Sequence, residues 1–378
     1  MNHFSEFPLC AVLQSNLKKH GFLQPTPVQS EAIPPSLAGR DVVATAQTGT
    51  GKTLAFLLPV IQSLANPEHK PAPGVRAVIL APTRELALQI HESAIKLTQG
   101  LNLGTAVVVG GMAETTQLRK LRQGAQIVIA TPGRLCDFLE RKLINLSNTG
   151  VLVLDEADRM LDMGFLPALK RILQQVPKRR QTLLFSATIE KSVAHLISMY
   201  VNHPVRVAIG ATTRPMDRID LHVYEVEQDR KLGLLETLLR QESGSFLVFT
   251  RTKHATDRLA RRLRASGFGA ARIHGDRTQG QRNQALDGFK KGDYRVLVAT
   301  DVAARGIHVD GIAHVVNYDL PQVPEDFIHR VGRTGRAGAR GTASTFATRG
   351  ERGDIRKIEA AMQTRLTRRV VAVEGIAS

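Results

Sequence analysis

Short runs of apolar, often β-branched residues alternate with longer amphipathic segments along most of the chain. These runs predict strands in the first half at 41–46, 77–81, 105–109, 126–131, 151–155 and 182–186, and in the second half at 222–226, 246–250, 270–274, 295–299, 313–317 and 342–346. Because the runs are almost continuously apolar, both faces of each sheet should be covered, as in parallel sheets. Helical periodicity lies between the runs, for example over 53–65 and 254–267. The pattern predicts an α/β fold with mostly parallel sheets flanked by helices.

The chain divides near its middle. Its length of 378 residues suggests two or three domains. Periodicity is lost over 203–220, a stretch with two prolines, and such a composition is typical of an interdomain connection. We therefore predict an N-terminal domain over 1–207, a linker over 208–220 and a C-terminal domain over 221–378.

The net charge indicates the class of partner. Residues 1–210 contain 22 basic and 14 acidic residues, and residues 211–378 contain 29 and 20, so that +8 and +9 add up to +17. Such an excess favours a polyanion as the binding partner, because basic side chains that bind its phosphates release condensed counterions and thereby gain affinity. A basic surface kept for solubility is the alternative. The chain has no tryptophan and four tyrosines, which disfavours base stacking on aromatic platforms and favours contacts to a backbone.

The cysteine content and the lengths of the apolar segments indicate the cellular compartment of the protein. Cys10 and Cys136 are too few for a disulfide scaffold and favour a reducing environment. The first residues lack the apolar run of a signal peptide. No stretch approaches the roughly 20 apolar residues that span a membrane. We expect a cytoplasmic protein without a membrane segment.

The segment AQTGTGKT (46–53) follows a predicted strand and opens a predicted helix, as in phosphate loops. Gly49 and Gly51 would let backbone N–H groups approach an anion at the helix start. Lys52 would reach the β- and γ-phosphates, and Thr53 would supply its hydroxyl to Mg²⁺. The first position is Ala46, where phosphate loops usually have glycine. A structural turn with a solvated lysine is the alternative.

The segment VLVLDEAD (151–158) places carboxylates at the end of a buried strand. Ligands of open α/β sheets bind at this end of the strands. Asp155 would hold Mg²⁺, and Glu156 would act as the general base toward the attacking water. An acidic first helical turn, favoured by the helix dipole, is the alternative.

A Gly-rich segment of the second half, HRVGRTGRAG (329–338), carries Arg330, Arg333 and Arg336 at three-residue spacing. An arginine from outside the phosphate loop stabilises the charge that develops on a transferred γ-phosphate. A solvated basic loop is the alternative. If the catalytic interpretation is correct, the hydrolytic site needs both halves of the chain.

Together with further motifs, these segments resemble the DEAD-box RNA helicases, most closely bacterial ones of compact core type. The resemblance runs from Phe4 to about Thr348. The motifs stand in family order: GFLQPTPVQ (21–29), AQTGTGKT (46–53), PTRELA (82–87), GG (110–111), TPGR (131–134), DEAD (155–158), SAT (186–188), VFTRT (248–252), HGDRTQGQR (274–282), ATDVAARGI (299–307) and HRVGRTGR (329–336). The resemblance implies two tandem RecA-like domains and an ATP-dependent RNA helicase that uses ATP and Mg²⁺.

The resemblance also implies roles for individual residues. Gln29 would read the adenine edge through its amide, and Phe4 and Phe22 would pack near the base, although both could be ordinary core residues. The nucleotide would further contact the whole loop, Ala46, Gln47, Thr48, Gly49, Thr50, Gly51, Lys52 and Thr53. Hydrolysis is implied for Lys52, Asp155, Glu156, Arg333 and Arg336. Coupling of hydrolysis to domain closure is implied for Asp158, Ser186, Thr188, His329 and Arg330.

The RNA contacts that the resemblance implies lie in both halves. They are Pro82, Thr83, Arg84, Gly110, Gly111, Thr131, Pro132, Gly133, Arg134, Arg251, Gly275, Gln279, Arg282, Thr300 and Asp301. Small residues, hydroxyls and arginines suit phosphate and 2′-OH contacts, which carry little sequence information. We therefore expect RNA as the partner, with little sequence specificity, and a monomeric protein.

One residue departs from the family. Where the family has an aspartate that helps to hold the nucleotide ribose, this chain has His308. An imidazole lacks a fixed negative charge, so we predict weaker or pH-sensitive nucleotide binding. Replacing His308 with aspartate should lower the ATP KM and remove its dependence on pH between about pH 6 and 8. A KM that the substitution leaves unchanged over that range would contradict the prediction.

Two other functions stay open. A DNA helicase or translocase would share the phosphate chemistry but would not be expected to combine GFLQPTPVQ with DEAD. An ATP-gated clamp that nucleates RNA–protein assemblies would share all of the motifs. A GTPase is disfavoured, because the chain has no N-K-x-D segment. We favour local, non-processive unwinding of short RNA duplexes or remodelling of RNA–protein complexes.

Overall fold

A computed structural model describes residues 2–46, 49–65, 73–189, 191–209, 219–304, 311–335 and 340–369, without the side chains of Gln279, Val302 and Glu325. The chain forms two compact units, Met1–Gly210 and Ala211–Ser378. Each unit contains one parallel sheet with helices around it. This is the α/β architecture that the sequence predicts.

In the first unit the strands stand in the spatial order β3-β4-β2-β5-β6-β1-β7, all parallel. The strands are β1 (Val42–Thr45), β2 (Ala77–Leu80), β3 (Gly104–Val108), β4 (Ala125–Ala130), β5 (Val151–Leu154), β6 (Gln181–Ser186) and β7 (Val205–Ala208). The helices are α1 (Ala11–Lys19), α2 (Pro27–Leu37), α3 (Lys52–Ala65), α4 (Arg84–Thr98), α5 (Glu114–Arg122), α6 (Pro132–Glu140), α7 (Ala157–Asp162), α8 (Leu166–Gln175) and α9 (Lys191–Tyr200). A 3₁₀ turn, Phe4–Glu6, precedes them.

In the second unit the order is β10-β11-β9-β12-β13-β8-β14, again all parallel. The strands are β8 (Ile219–Glu225), β9 (Phe246–Phe249), β10 (Ala270–Ile273), β11 (Val296–Ala299), β12 (His314–Asn317), β13 (Gly341–Ala347) and β14 (Thr367–Arg369). The helices are α10 (Lys231–Gln241), α11 (Lys253–Ala265), α12 (Gln279–Lys291), α13 (Asp301–Ala304), α14 (Pro324–Val331) and α15 (Arg352–Met362). A 3₁₀ turn, Arg349–Glu351, precedes α15.

Both faces of each sheet are buried, as the apolar runs predict. In β5, Val153 packs into one apolar cluster, whereas Leu152 and Leu154 pack into the cluster on the other face. Successive side chains of a strand point to opposite faces, so a strand between two helical layers needs apolar residues at every position. The core therefore fixes the strands whose carboxyl ends carry the motifs.

Threonines begin several of the helices that follow these strands. The side chain of Thr83 accepts a hydrogen bond from the backbone of α4 at 3.3 Å. Thr252 and Thr278 do the same for α11 and α12, at 3.1 and 3.4 Å. Each cap satisfies a backbone N–H group that the first helical turn leaves without a partner.

The sequence did not predict β7 and β14. Both lie at sheet edges, where β7 buries only Val207 and β14 buries no residue. The predicted linker over 208–220 overlaps Ala208 of β7 and the first two residues of β8, and its positions 210–218 lie outside the described residues. None of the helices in the described ranges has the length and hydropathy that a membrane crossing needs.

Candidate functional site

The motif residues follow the carboxyl ends of the parallel strands. In the first unit, β1 leads into the phosphate loop, β5 into Asp155 and β6 into Ala187. In the second unit, β9 precedes Thr250 and β11 precedes Thr300. Each sheet thus brings residues that are far apart in sequence to the carboxyl ends of its strands, where open α/β sheets bind their ligands.

The phosphate loop contains two glycines in the left-handed region, Gly49 with φ 86° and Gly51 with φ 91°. A Cβ atom on Gly51 would lie 2.4 Å from Nε2 of Gln29, so the close approach requires glycine. Ala46 is buried, and its N–H donates to the carbonyl of Ser186 at 3.0 Å. Gln47 and Thr48 lie outside the described residues.

Gln29 holds the loop against the start of α2. Its Nε2 donates to the carbonyl oxygen of Gly51 at 2.8 Å, and its Oε1 accepts from the N–H of Thr26 at 2.8 Å. These bonds leave one N–H group and one lone pair of the amide for a base. Phe4 is buried beside Phe7, with 5.9 Å between the ring centroids, whereas Phe22 is 37% exposed.

Lys52 is the first residue of α3, and its side chain is buried. The Nζ atom makes no hydrogen bond to any residue that the structure describes. A buried ammonium without hydrogen-bond acceptors is costly, and an anion at the helix start would relieve that cost. The site is therefore chemically suited to the phosphates of a nucleotide. Thr53 follows as the second residue of the same helix.

Asp155 and Glu156 follow β5 and are both buried. The Oδ1 atom of Asp155 accepts a hydrogen bond from the N–H of Glu156 at 3.0 Å. Burial raises the pKa of Asp155 to about 7, against the opposing effect of the Lys52 charge. Glu156 has a left-handed backbone with φ 52°, a conformation that costs a non-glycine residue free energy and often marks a functional position.

The raised pKa of Asp155 makes stability depend on pH. The folded protein binds the proton more tightly than the unfolded chain, so the free energy of unfolding should fall as the pH rises from about 4 to 7. The slope from this group is at most about 1.4 kcal/mol per pH unit. The Asp155→Asn variant should lack this contribution, so its stability relative to wild type should increase over that range. Chemical denaturation in EDTA measures the difference. The exposed Asp287→Asn is the control, and parallel pH curves for wild type and Asp155→Asn would contradict the prediction.

Arg159 is a site residue that sequence reasoning missed. Its side chain is 2% exposed, and Nη1 lies 3.5 Å from Oε2 of Glu156. Neither Nη1 nor Nη2 makes a hydrogen bond within the described part of the chain. The available signal was the three-residue spacing between Arg159 and Glu156, the residue that precedes α7, since side chains three positions apart can be neighbours where a helix begins.

Asp158 joins the DEAD segment to the SAT segment. Its Oδ2 accepts hydrogen bonds from the backbone N–H groups of Ala187 and Thr188, at 3.0 and 2.9 Å, and from the Thr188 hydroxyl at 3.2 Å. The N–H of Asp158 donates to Oγ of Ser186 at 3.2 Å, and that hydroxyl donates to the carbonyl of Thr188 at 2.7 Å. The structure thus brings together the three residues of the first unit for which the resemblance implies a coupling role.

The donor set is suited to Mg²⁺ only together with phosphates. Thr53 and Asp155 offer one hydroxyl and one carboxylate, and proteins bind Mg²⁺ through one or two carboxylates plus substrate phosphates. Within the described ranges, no group of three or more His, Cys, Asp or Glu residues could hold a metal ion alone. A metal would therefore accompany the nucleotide.

Two predicted RNA-binding segments of the first unit contact each other. Nη1 of Arg84 donates to the carbonyl of Gly110 at 3.1 Å. A Cβ atom on Gly111, which has φ 70°, would lie 2.6 Å from the same nitrogen. Arg134 lies 3.4 Å from Glu114 and 3.8 Å from Asp137, so its charge is partly compensated. Pro82, Thr83, Thr131, Pro132 and Gly133 lie at the starts of α4 and α6.

Arg330 and Asp301 form one ion pair, although the resemblance gave them different roles. Nε and Nη2 of Arg330 donate to the two carboxylate oxygens of Asp301 at 2.5 and 2.7 Å. Nη1 donates to Oδ1 of Asn317 at 3.1 Å, and the guanidinium lies over the Phe249 ring. Such a bidentate pair, with Arg330 buried and Asp301 partly exposed, fixes the start of α13 against α14.

Of the remaining predicted site residues of the second unit, Arg333 and His329 contact each other. Arg333 is buried, with its Nε donating to the carbonyl of His329 at 3.3 Å. Arg251 is half exposed, 3.7 Å from Glu351. Gly275 is exposed, and Thr300 and Arg282 are half-buried. His308, Arg336 and the side chain of Gln279 lie outside the described residues.

Comparison with known proteins agrees with these motifs. The chain matches the DEAD/DEAH box helicase family model over residues 26–196 and the helicase conserved C-terminal domain over residues 230–338. It is 42% identical to the DEAD-box ATP-dependent RNA helicase CshA of Bacillus subtilis (strain 168), over 87% of this chain and 66% of that protein. It is 44% identical to the ATP-dependent RNA helicase RhlB of Xanthomonas oryzae pv. oryzae, over 87% of this chain and 58% of that protein.

A solved structure of S. cerevisiae Dbp5 bound to RNA and ADP BeF3 is also similar. The TM-score is 0.86 at 31% sequence identity, covering 99% of this chain and 96% of that chain. The two units thus have the RecA-like fold of two-domain helicases. The chain belongs to the DEAD-box helicase family, which confirms the resemblance seen in the sequence. It spans about three-fifths of the length of the curated relatives, 58% to 66% of the two named here.

Proposed function

We propose that the chain is an ATP-dependent RNA helicase, in which RNA stimulates ATP hydrolysis and the cycle separates short duplexes locally or remodels RNA–protein complexes. The observation that carries the proposal is the buried ammonium of Lys52 at the start of α3, on the carboxyl side of the sheet together with Asp155 and Glu156. The names of the relatives and the RNA and ADP BeF3 bound to Dbp5 support it.

Each residue of the first unit has a chemical task in this proposal. The backbone of Gly49 and Gly51 and the ammonium of Lys52 bind the phosphates. Thr53 and Asp155 hold Mg²⁺, which when bound neutralises phosphate charge. Glu156 accepts the proton of the attacking water. Gln29, already bonded to the loop, transmits the presence of the base to Gly51.

The proposal extends to the second unit and to RNA. Arg333 and Arg336 stabilise charge on the γ-phosphate, and His308 replaces the ribose-binding carboxylate. Asp158, Ser186 and Thr188 carry the state of the site to the RNA-binding segments through their hydrogen-bond network. RNA is held by its backbone at the segments named above, with little sequence specificity. A monomeric state and a cytoplasmic location stay predictions.

ATPase and strand-separation assays with RNA and with DNA of the same sequence test the proposal. RNA should stimulate hydrolysis and DNA should not, because a helicase that reads 2′-OH groups distinguishes the two. Equal stimulation by both would refute the RNA assignment. Hydrolysis without strand separation of any short duplex would instead favour an ATP-gated clamp.

A further inference from the structure

One stretch of the second unit, at an edge of its sheet, carries an excess of positive charge. Residues 253–277 contain seven Lys and Arg against two Asp, a net +5 of the +9 that residues 211–378 carry. The stretch comprises α11, the edge strand β10 and the start of the loop to α12. About a quarter of the 29 basic side chains of residues 211–378 thus lie near one sheet edge, where they would repel one another unless an anion is nearby.

Helix α11 separates its apolar and basic residues. Thr256, Leu259, Ala260 and Leu263 are buried against the sheet. The exposed side chains include Arg258, Arg261, Arg262 and Arg264. Among the described residues, none of these four arginines forms an ion pair with a carboxylate; Arg261 and Arg264 bond only to backbone carbonyls of their own helix.

Two clefts lie along this helix. One, of about 330 Å³, follows its first half and is lined by Thr252, His254, Ala255, Asp257, Arg258 and Arg261. The other, of about 180 Å³, crosses the edge strand β10, and its polar lining is Arg264, Arg272, Arg277, Gln281, Gln284 and Tyr294. We call Arg258, Arg261, Arg264, Arg272 and Arg277 together the arginine surface.

Among the described residues, the local carboxylates compensate only Arg272 of the arginine surface. Asp257 is engaged by Nε of Arg272 at 2.7 Å and by Nε2 of His274 at 3.1 Å. Asp276 is engaged by Lys253 at 2.6 Å. No carboxylate lines the second cleft among the described residues, and Nε of Arg277 is buried there without a hydrogen-bond acceptor. Guanidinium, amide and phenol groups are donors suited to phosphate oxygens.

We propose that the arginine surface is a second RNA-binding site, which holds phosphates of the strand beyond the segments that the motifs provide. The proposal rests on the RNA partner of the proposed function. Both clefts begin beside expected RNA contacts, because Thr252 follows Arg251 directly and Gln281 lies on α12 with Arg282. A strand bound there would continue along α11 and the edge strand β10, from the carboxyl ends of the strands toward their amino ends.

The composition favours nucleic acid over a protein partner. Protein interfaces have an apolar or aromatic centre with few charges. The large apolar residues exposed within the described ranges are Val12, Phe22, Leu23, Ile95, Leu166, Ile189, Met199 and Val323, and none lies on α11 or β10. At about 1.5 Å per residue, α11 places basic groups over roughly 16 Å, enough for two or three phosphates of a single strand.

The test compares how tightly wild type and a variant without these charges bind a short and a long RNA. The Arg258→Gln/Arg261→Gln/Arg264→Gln variant removes three exposed charges while keeping residues that favour a helix. The matched control, Arg349→Gln/Arg356→Gln/Arg365→Gln, removes three exposed charges near the opposite edge of the same sheet. Equilibrium binding of oligouridylates of about 10 and about 40 nucleotides is measured between about 50 and 200 mM salt.

The surface variant should bind the long RNA at least about 20-fold more weakly at the lowest salt and the short RNA with wild-type affinity. At about 0.7 counterions per phosphate, losing three contacts lowers the salt slope by about two. The ratio of the wild-type affinity to the variant affinity for the long RNA should therefore shrink roughly 15- to 20-fold over the four-fold rise in salt. The control variant should behave as wild type.

Two results would overturn the proposal. In the first, the surface variant binds the long RNA with the same affinity and the same salt slope as wild type. The other is selective loss of binding to poly-glutamate with long-RNA binding intact, which would assign the surface to an acidic protein. ATPase stimulated by the short RNA, measured in parallel, tests the proposed function separately, because that activity should be equal in all three proteins.

Discussion

The Glu156→Gln variant is expected to hydrolyse ATP about 10²–10⁴-fold more slowly than wild type at saturating RNA and ATP. Glutamine keeps the shape of the side chain but cannot accept the proton of the attacking water. The loop, Lys52 and Asp155 are unchanged, so the affinity for ATP should stay within a few-fold of wild type. Single-turnover hydrolysis and equilibrium binding of a fluorescent ATP analogue measure the two effects.

Stability provides an independent readout for the same variant. Arg159 lies 3.5 Å from Glu156 with both side chains buried, so the substitution leaves a buried guanidinium opposite a neutral amide. Removing one partner of a buried pair costs several kcal/mol, and an amide oxygen in place of the carboxylate should reduce the loss to about 1–3 kcal/mol.

The exposed Glu92→Gln on α4 is the matched control for both measurements and should resemble wild type. A Glu156→Gln protein that is folded, binds ATP and hydrolyses it within about ten-fold of the wild-type rate would contradict the assignment of Glu156 as the general base.

The Lys52→Met variant should lose nucleotide affinity while the nucleotide-free protein becomes more stable. Methionine has a straight chain and favours a helix, and it removes a buried ammonium whose Nζ has no hydrogen-bond acceptor in the described structure. We expect the free energy of unfolding to rise by about 1–3 kcal/mol. We expect ATP affinity to fall about 30- to 5000-fold, since truncating one member of a buried charge pair costs about 2–5 kcal/mol.

Thermal unfolding with and without ATP and Mg²⁺ distinguishes the two effects. Wild type at about 100 times its dissociation constant should gain about 2.7 kcal/mol, and the variant should gain almost none. Lys170→Met, at an exposed position of α8, should keep the gain and the original stability. A destabilised Lys52→Met protein that still gains stability from ATP would show that the ammonium has a structural partner instead.

The sequence predicted most of the fold because burial on both sheet faces produces a strong local signal. Val151–Leu154 of β5 is apolar at every position, and the same holds for Phe246–Phe249 of β9. Edge strands lack that signal. Arg206 in β7 and the three residues of β14 are exposed. These strands belong to the sheet because they pair with a neighbouring strand, and the sequence pattern does not indicate them.

For the site, the motifs predicted which strand ends carry chemistry but not how the side chains pair. The Gln29 to Gly51 hydrogen bond joins residues 22 positions apart, and the pair of Arg330 with Asp301 spans 29 positions. Such contacts depend on the packing of whole helices. Arg159 was missed for a different reason, because a charged residue in a short helix is more often on the surface than buried.

The outermost strand of the second sheet has a consequence for the solubility of fragments. β14 pairs with β8 and covers its outer backbone groups with a three-residue strand that exposes Arg368 and Arg369. Short, charged edge strands resist intermolecular pairing. A fragment that ends before Thr367 would leave the seven-residue β8, with Leu221 and Val223 among its residues, as the open edge. Such a fragment is expected to aggregate edge to edge, although every residue of the candidate site would be present.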